Sequence, residues 1–190
     1  TKLTEALSIF RKTRSANDDF VSAAVGELAS VRYGQGRFPD AERLYREALE
    51  LASARHGPDD QRVGERLVAL GNFYAYTGRP REGLPLLQRA AVLLEGALGL
   101  KHPRVIAALV GVADAQANSP DNVAAEATLR RAVPAARSVF PAQHPTLANV
   151  IARLGNVMAE RGRANEAAEL VSEALTMRIA LLGADHPDVQ

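Results

Sequence analysis

The sequence repeats itself with a period of 42 residues. One column of this alignment contains only alanine, at Ala48, Ala90, Ala132 and Ala174. Another contains the pair Gly-Arg, at Gly36-Arg37, Gly78-Arg79 and Gly162-Arg163. Self-similarity over a few tens of residues is typical of stacked solenoids, in which each unit buries its apolar face on its neighbours. Such chains usually act through a long binding surface, so this surface is the first place to look for function.

Composition argues against several partner classes. The net charge is +1, which does not indicate a nucleic-acid partner, and apolar runs such as Ala90 to Leu94 are too short to span a bilayer, so we expect no membrane partner. The chain has no cysteine, so disulfides and thiolate chemistry are excluded. This fits a reducing compartment, and with no secretory signal we expect a cytoplasmic protein. Twenty arginines against three lysines suggest a GC-rich bacterial genome.

Each repeat reads as two helices. Pro103 and Pro145 follow a histidine and stand where proline is tolerated, in the first turn of a helix. Apolar residues then recur at helical spacing until a glycine, as at Gly78, where a left-handed backbone ends a helix at little cost. A second helix follows this turn. No segment alternates as a strand does, so the sequence predicts an all-α fold.

The register divides the chain into one array over residues 1–190. The predicted repeats are 22–63, 64–105, 106–147 and 148–190, and residues 1–21 hold the second helix of a truncated repeat plus a loop. Residues 185–190 resemble the approach to a further unit. We therefore expect a piece of a longer array whose end faces are apolar and prone to self-associate.

Small residues occupy two more columns. Counting from the start of each repeat, position 8 holds Ala29, Gly71, Ala113 and Gly155, and position 20 holds Ala41, Gly83, Ala125 and Ala167. This pattern resembles the tetratricopeptide repeat, and the 42-residue length with the segment 41–51 resembles the kinesin-light-chain subtype. The resemblance implies a right-handed superhelical solenoid of antiparallel helix pairs. It also implies that position 8 packs against position 20, while the alanine column at position 27 faces the next unit.

Catalytic and metal sites are not indicated. The histidines at 102, 144 and 186 occupy equivalent corners of successive units, roughly 10 Å apart, whereas metal ligands lie about 2 Å from one ion. They are better explained as loop residues before a proline-started helix. Ser138, Ser172 and Thr176 have no partner fixed by local sequence. We therefore expect no enzyme activity, no metal and no cofactor.

The resemblance places the binding groove on the first helix of each repeat, at positions 2, 5, 6, 9, 12 and 13. The candidate partner-binding residues at these positions are Ser30, Tyr33, Glu65, Asn72, Tyr76, Asp114, Asn118, Asn149, Arg153, Asn156 and Glu160. Asparagine can donate and accept hydrogen bonds at once, which suits a peptide main chain. The alternative is that these are solvated polar residues on an unused face.

The charges of these positions favour a neutral or basic peptide, or an amphipathic helix. Arg153 is the one obvious inward arginine, while Glu65, Asp114 and Glu160 are acidic. A clamp for an anionic terminus, which the family builds from lysine and arginine, is therefore in doubt.

Three functions remain open. The first is a non-catalytic protein–protein interaction scaffold that binds a peptide or helix of a partner in the concave groove. The alternative is an architectural or regulatory arm of a larger multidomain bacterial protein, such as a protease, NTPase or transcription regulator, making intramolecular or self-association contacts. The third, an enzyme or small-molecule sensor, lacks a supporting constellation of residues.

Overall fold

The computed structural model describes residues 19–117, 122–183 and His186, and these residues form helices joined by short turns. The helices are α1 (Asp19–Gly34), α2 (Phe38–His56), α3 (Gln61–Tyr76), α4 (Pro80–Leu98), α5 (Pro103–Ala117), α6 (Asn122–Val139), α7 (Pro145–Glu160) and α8 (Ala164–Leu182). No strand occurs in these residues, and the all-α prediction is confirmed. The predicted truncated helix before residue 19 and the end of the chain after His186 lie outside the described residues.

Two compact units divide the chain, Thr1–Ala97 and Leu98–Gln190. Unit 1 holds α1 to α4, and unit 2 holds α5 to α8. Within unit 1, α2 packs on α1 and α3; within unit 2, α6 packs on α5 and α7, and α7 on α8. These are the successive helix pairs that the repeat predicts. The four repeat boundaries and their assembly into one array stay a prediction.

The turns follow the glycine and proline signals of the sequence. Gly36, Gly78 and Gly162 have φ of 71°, 82° and 76°, the left-handed region that only glycine enters without strain. Helices α5 and α7 begin at Pro103 and Pro145, as predicted.

One column of the repeat caps the first helices, a role the sequence analysis missed. Asp60 Oδ1 accepts the backbone N–H of Arg62 at 2.8 Å. The histidines in the same column do the same through Nδ1, which accepts from Arg104 N at 3.2 Å for His102 and from Thr146 N at 3.1 Å for His144. Such a cap satisfies a donor that the first helical turn leaves without an intrahelical partner. The signal was the alignment of aspartate with histidine, two side chains that accept at the same reach.

Close approach of the paired helices explains the small residues at positions 8 and 20. A Cβ added at Gly83 on α4 would lie 2.4 Å from the carbonyl oxygen of Gly71 on α3. A Cβ at Gly155 on α7 would lie 2.8 Å from Val171 on α8. The predicted packing of position 8 against position 20 is therefore confirmed for the second repeat.

Ala48 and Ala174 show how the alanine column at position 27 is packed. Ala48 lies 3.9 Å from the Cβ position of Gly26, which belongs to the first helix of its own repeat. Ala174, near the end of the described chain, is also only 2% exposed. Ala48 therefore packs within its own repeat, and it also shares a core cluster with Leu70 and Phe73 of the next repeat, which agrees with the prediction that this column faces the next unit. Its small size is required by helix approach within the pair.

Candidate functional site

Three predicted groove residues form one polar network in unit 2. The Arg153 guanidinium on α7 pairs with Asp114 on α5, and Arg153 Nε donates to Asn149 Oδ1 at 3.1 Å. Asp114 is largely shielded, with 15% of its side chain exposed, against 32% for Arg153. Burial raises the pKa of the Asp114 carboxyl above its ordinary value, and the charge of Arg153 and its hydrogen bond work in the opposite direction.

Within this network, the negative charge of Asp114 balances the positive charge of Arg153. Arg153 is engaged by a carboxylate of the neighbouring helix, so it is not a cation held ready for an anionic ligand. Asn149 is exposed and oriented by Arg153, and Asn156 is exposed two turns further along α7. What the surface offers a ligand is therefore amide hydrogen bonding without a large net charge.

The remaining predicted residues of unit 2 are not part of this network. Glu160 accepts a hydrogen bond from Asn122 Nδ2 at 3.0 Å, a contact between the end of α7 and the start of α6. Asn118 lies outside the described residues.

In unit 1, two predicted groove residues take part in packing. Ser30 Oγ lies 3.0 Å from the Tyr45 hydroxyl, and a hydrogen bond links them. The Tyr33 ring contacts Phe38 and Phe73, with ring centroids 5.8 and 6.0 Å apart. Aromatic pairs at these distances stabilise a core. Tyr33 therefore supports the unit as much as it offers a ligand a surface.

Three other predicted groove residues of unit 1 have side chains accessible to solvent, namely Glu65, Asn72 and Tyr76. All three lie on α3; Tyr76 is 60% exposed, and Asn72 and Glu65 are half-buried. An exposed tyrosine beside an asparagine provides an apolar ring and a polar group on one helix, a combination common where proteins contact peptides.

Arg66 is an inward-directed arginine that the sequence analysis missed. A Cβ at Gly26 on α1 would lie 3.3 Å from Arg66 Nη1, so the guanidinium rests on the bare backbone of that helix. Arg66 stands at position 3, outside the groove positions implied by the resemblance, and its long side chain brings it there. The absent side chain at Gly26 was the signal available in the sequence.

Glu42 links the second helix of one repeat to the turn of the next repeat. Glu42 on α2 accepts from Arg79 at 2.6 Å, Arg46 at 2.9 Å and Tyr74 at 3.0 Å. The hydrogen bond from Arg79, followed by those from Arg46 and Tyr74, lowers the pKa of Glu42 to about 2. Arg79 is in turn held by Glu82 at 2.6 Å. We call this arrangement the glutamate bridge.

The glutamate bridge recurs two periods later in unit 2. Glu126 is 4% exposed and pairs with Arg130, Arg161 and Arg163. Hydrogen bonding from Arg130 and the charges of the other two arginines lower its pKa. Glu166 holds Arg163 as Glu82 holds Arg79. Two of the three Gly-Arg pairs, at Arg79 and Arg163, therefore supply the arginine of this bridge, whereas the sequence alone indicated them only as markers of register.

The outer face of α8 is partly uncovered. Val171, Leu175 and Leu182 are 39%, 40% and 45% exposed. One period earlier, Leu129 and Val133 occupy the positions of Val171 and Leu175 and are 1% and 7% exposed. The side chains of α8 are therefore of a kind that this fold buries elsewhere. The apolar, self-associating end face stays a prediction.

The described residues contain neither a cluster of metal ligands nor a helix suited to crossing a membrane. Within residues 19–117, 122–183 and 186, no three or more histidine or acidic side chains cluster as metal ligands would. Nor does any helix in these ranges combine the length and apolar character needed to cross a bilayer.

Three solved structures of other proteins are similar to this fold. BtubC (BKLC) from P. vanneervenii has a TM-score of 0.84 and 20% identity, covering 97% of this chain and 73% of that one. A putative kinesin light chain with nearly identical tetratricopeptide-like repeats, from Podospora anserina, has a TM-score of 0.76 and 19% identity, covering 95% and 85%. YrrB, a tetratricopeptide-repeat protein with an unusual peptide-binding site, has a TM-score of 0.66 and 18% identity, covering 100% and 84%.

Sequence comparison agrees with the fold. No curated protein is significantly similar to this chain. A family model for the tetratricopeptide repeat matches residues 23–62, 64–104 and 147–188, which is more than half of the sequence. The chain therefore belongs to the tetratricopeptide-repeat family, with repeats similar to those of kinesin light chains.

Proposed function

We propose that this chain is a non-catalytic protein-interaction scaffold that binds a peptide or helix of a partner on the first-helix surfaces of its repeats. The observation that carries the proposal is the network of Asp114, Asn149 and Arg153, which fixes an exposed amide on a charge-compensated surface. An oriented amide can pair with both groups of a peptide main chain at little entropic cost.

Two further features support a neutral or basic ligand over an anionic one. Asp114 balances the charge of Arg153, so an anionic peptide terminus would gain little binding free energy from this arginine. Tyr76 adds an exposed aromatic ring on α3 of unit 1. The similarity to YrrB, described as having a peptide-binding site, is compatible with this class of ligand.

The test is peptide display followed by titration. Random peptides are selected on the intact chain, synthesised, and titrated by calorimetry against the wild type and Asn156→Ala. Loss of an exposed hydrogen-bonding amide should weaken binding by about 0.5–1.5 kcal/mol, or roughly 2- to 13-fold, without altering the circular dichroism spectrum.

The matched control is Asn165→Ala on α8, an exposed asparagine on a second helix. Its affinity should equal that of the wild type. If selected peptides bind the wild type and Asn156→Ala equally but lose affinity with Asn165→Ala, the working surface is on the second helices and the proposal is wrong.

Self-association is the second candidate, and it is favoured by the uncovered face of α8. Val171 and Leu175 stand where the preceding repeat buries its side chains, so a second surface could remove them from water. This would suit an architectural arm whose contacts are with another copy of itself. Light scattering at increasing concentration tests it: Leu175→Glu should shift any dimer to monomer, whereas Thr176→Glu, exposed beside it, should not.

A further inference from the structure

Unit 1 contains a cavity of about 210 Å³ between the start of α1, the end of α2 and the start of α3. Its apolar lining includes Ala23, Leu51 and Ala52, and its polar lining includes Arg55, Arg62 and Arg66. Among the described lining residues there is no carboxylate side chain. An apolar chamber with several arginines and no acid in its wall is suited to an anion that carries an apolar body.

Neighbouring acids constrain two of these arginines unequally. Arg62 is held by Asp60 in a two-point contact, at 2.8 Å through Nε and 3.0 Å through Nη2. Among the described residues, the acid that faces Arg66 is Glu65, whose carboxylate lies 3.9 Å from Nη2, beyond hydrogen-bond distance. Arg62 is therefore fixed in place, while the guanidinium of Arg66 has donors to offer.

Arg66 is also poorly solvated. Its side chain is 18% exposed, and its Nε is buried and donates to no acceptor among the described residues. A buried donor without an acceptor is costly, so buried polar groups usually have a partner. Gly26 has no side chain to displace Arg66 from this position. The fold thus holds a guanidinium in a chamber where a ligand oxygen would supply the missing acceptor.

The charge and shape of that oxygen donor can be specified. A guanidinium fork matches the two oxygens of a carboxylate. A dianion would lose more hydration free energy than a carboxylate on entering a chamber with an apolar wall. We propose that this pocket binds a carboxylate group attached to a small apolar body, with Arg66 as its anchor. The proposal does not depend on peptide binding at the first-helix surfaces.

The repeat provides a second pocket at the equivalent place, three periods later. That cavity, of about 390 Å³, is lined by Pro145, Asn149, Arg178, Leu181 and Leu182. Leu181 stands where the first pocket has Arg55. A cavity between the helices therefore occurs in both repeats, and Arg55 is the arginine of the first pocket that a leucine replaces in the second.

The experiment is a titration followed by amide chemical shifts of the ¹⁵N-labelled chain. The probes are phenylacetate and its neutral counterpart phenylacetamide. We expect phenylacetate to shift the amides of Ala23, Ala52 and Arg66 in a saturable way, and to bind at least tenfold more tightly than phenylacetamide. Equal binding of the two probes, or shifts confined to other parts of the chain, would overturn the proposal.

Variants identify the anchor. Arg66→Gln should abolish the preference for phenylacetate, and Arg66→Lys should retain part of it because the charge remains. Arg43→Gln, an exposed arginine of the same unit, is the control and should leave the preference intact. An unchanged preference in a well-folded Arg66→Gln variant would show that Arg66 is not the anchor, and the proposal would fail.

Two further probes distinguish the source of the carboxylate. The peptide acetyl-Leu-Glu-Leu-amide is compared with its glutamine counterpart. If the glutamate peptide binds the pocket with the same dependence on Arg66, the site accepts a peptide side chain; if only phenylacetate does, it takes a free organic acid. If neither acid is preferred over its neutral counterpart, the site does not recognise carboxylates.

Discussion

Glu42 accepts a hydrogen bond from Arg79 at 2.6 Å, although 37 residues separate them, and Glu126 and Arg163 are paired at the same separation. Each glutamate lies on the second helix of one repeat, and each arginine lies in the turn of the next. Each bridge lies within one compact unit. In the repeat between them, Leu84 occupies the glutamate position. The glutamate bridge therefore links the two repeats of unit 1 and, separately, the two repeats of unit 2.

The first prediction concerns the pH dependence of this bridge. The folded-state pKa of Glu42, about 2, lies below its ordinary value of 4.5. Its contribution to stability is therefore fully present above about pH 4.5 and is lost as the pH falls through about 2. Glu42→Gln should lower the urea midpoint at pH 7, and the difference from the wild type should shrink below pH 4.5.

Circular dichroism at 222 nm, recorded in urea at several pH values, measures the effect. The control is Glu50→Gln, an exposed glutamate on the same helix. Its urea midpoint should stay close to that of the wild type at every pH. A Glu42→Gln deficit that persists undiminished at pH 3 would contradict the assignment.

The second prediction compares two glycines of α4. Gly83→Ala would place a Cβ 2.4 Å from the carbonyl oxygen of Gly71, and a backbone atom cannot yield as a flexible side chain can. We expect a loss of about 2–3 kcal/mol in unfolding free energy, from overpacking. Gly96→Ala meets nothing within 4 Å and should stabilise by about 0.5–1 kcal/mol through helix propensity. Chemical denaturation of both variants decides the matter; equal effects would place the close contact elsewhere.

The third prediction concerns the capping column. His144→Ala removes the acceptor for the Thr146 amide and should cost about 1 kcal/mol. His144→Asn, whose side-chain oxygen can accept from the same amide, should recover most of that loss. Thermal melts of the three proteins measure it. If asparagine proved no better than alanine, the stacking of His144 on Phe140, with ring centroids 4.4 Å apart, would be the more important contact.

Much of the fold could be predicted because the rules involved are local. Gly78 ends a helix in the left-handed region and Pro145 begins one, whatever the rest of the chain does. The packing of Gly71 on Gly83 was implied by the resemblance to the tetratricopeptide pattern, in which both positions hold small residues. By contrast, the direction in which Arg66 extends depends on the vacant surface at Gly26, which belongs to another repeat.

Part of the candidate surface was predicted from the groove positions that the family resemblance implies. Those positions include Asp114, Asn149 and Arg153, and the structure brings these three side chains together. The same positions did not reveal that the ring of Tyr33 packs against Phe38 and Phe73, because this aromatic packing involves residues from three helices. The sequence signal for the glutamate bridge is a glutamate and an arginine that recur 37 residues apart.

The last prediction tests whether Arg153 and Asp114 act as a unit. Arg153→Gln leaves the shielded carboxylate of Asp114 without its cation and should cost about 1–3 kcal/mol, less than a fully buried pair because Arg153 is 32% exposed. Asp114→Asn should cost less, since burial already raises the pKa of that carboxyl and disfavours its charge. The double variant should therefore lose less unfolding free energy than the two single variants lose together. The difference, a coupling of about 1 kcal/mol, is measured by urea denaturation. Additive losses would mean that the two side chains are adjacent without depending on each other, and the surface around Asn149 would then lack the fixed geometry that peptide binding requires.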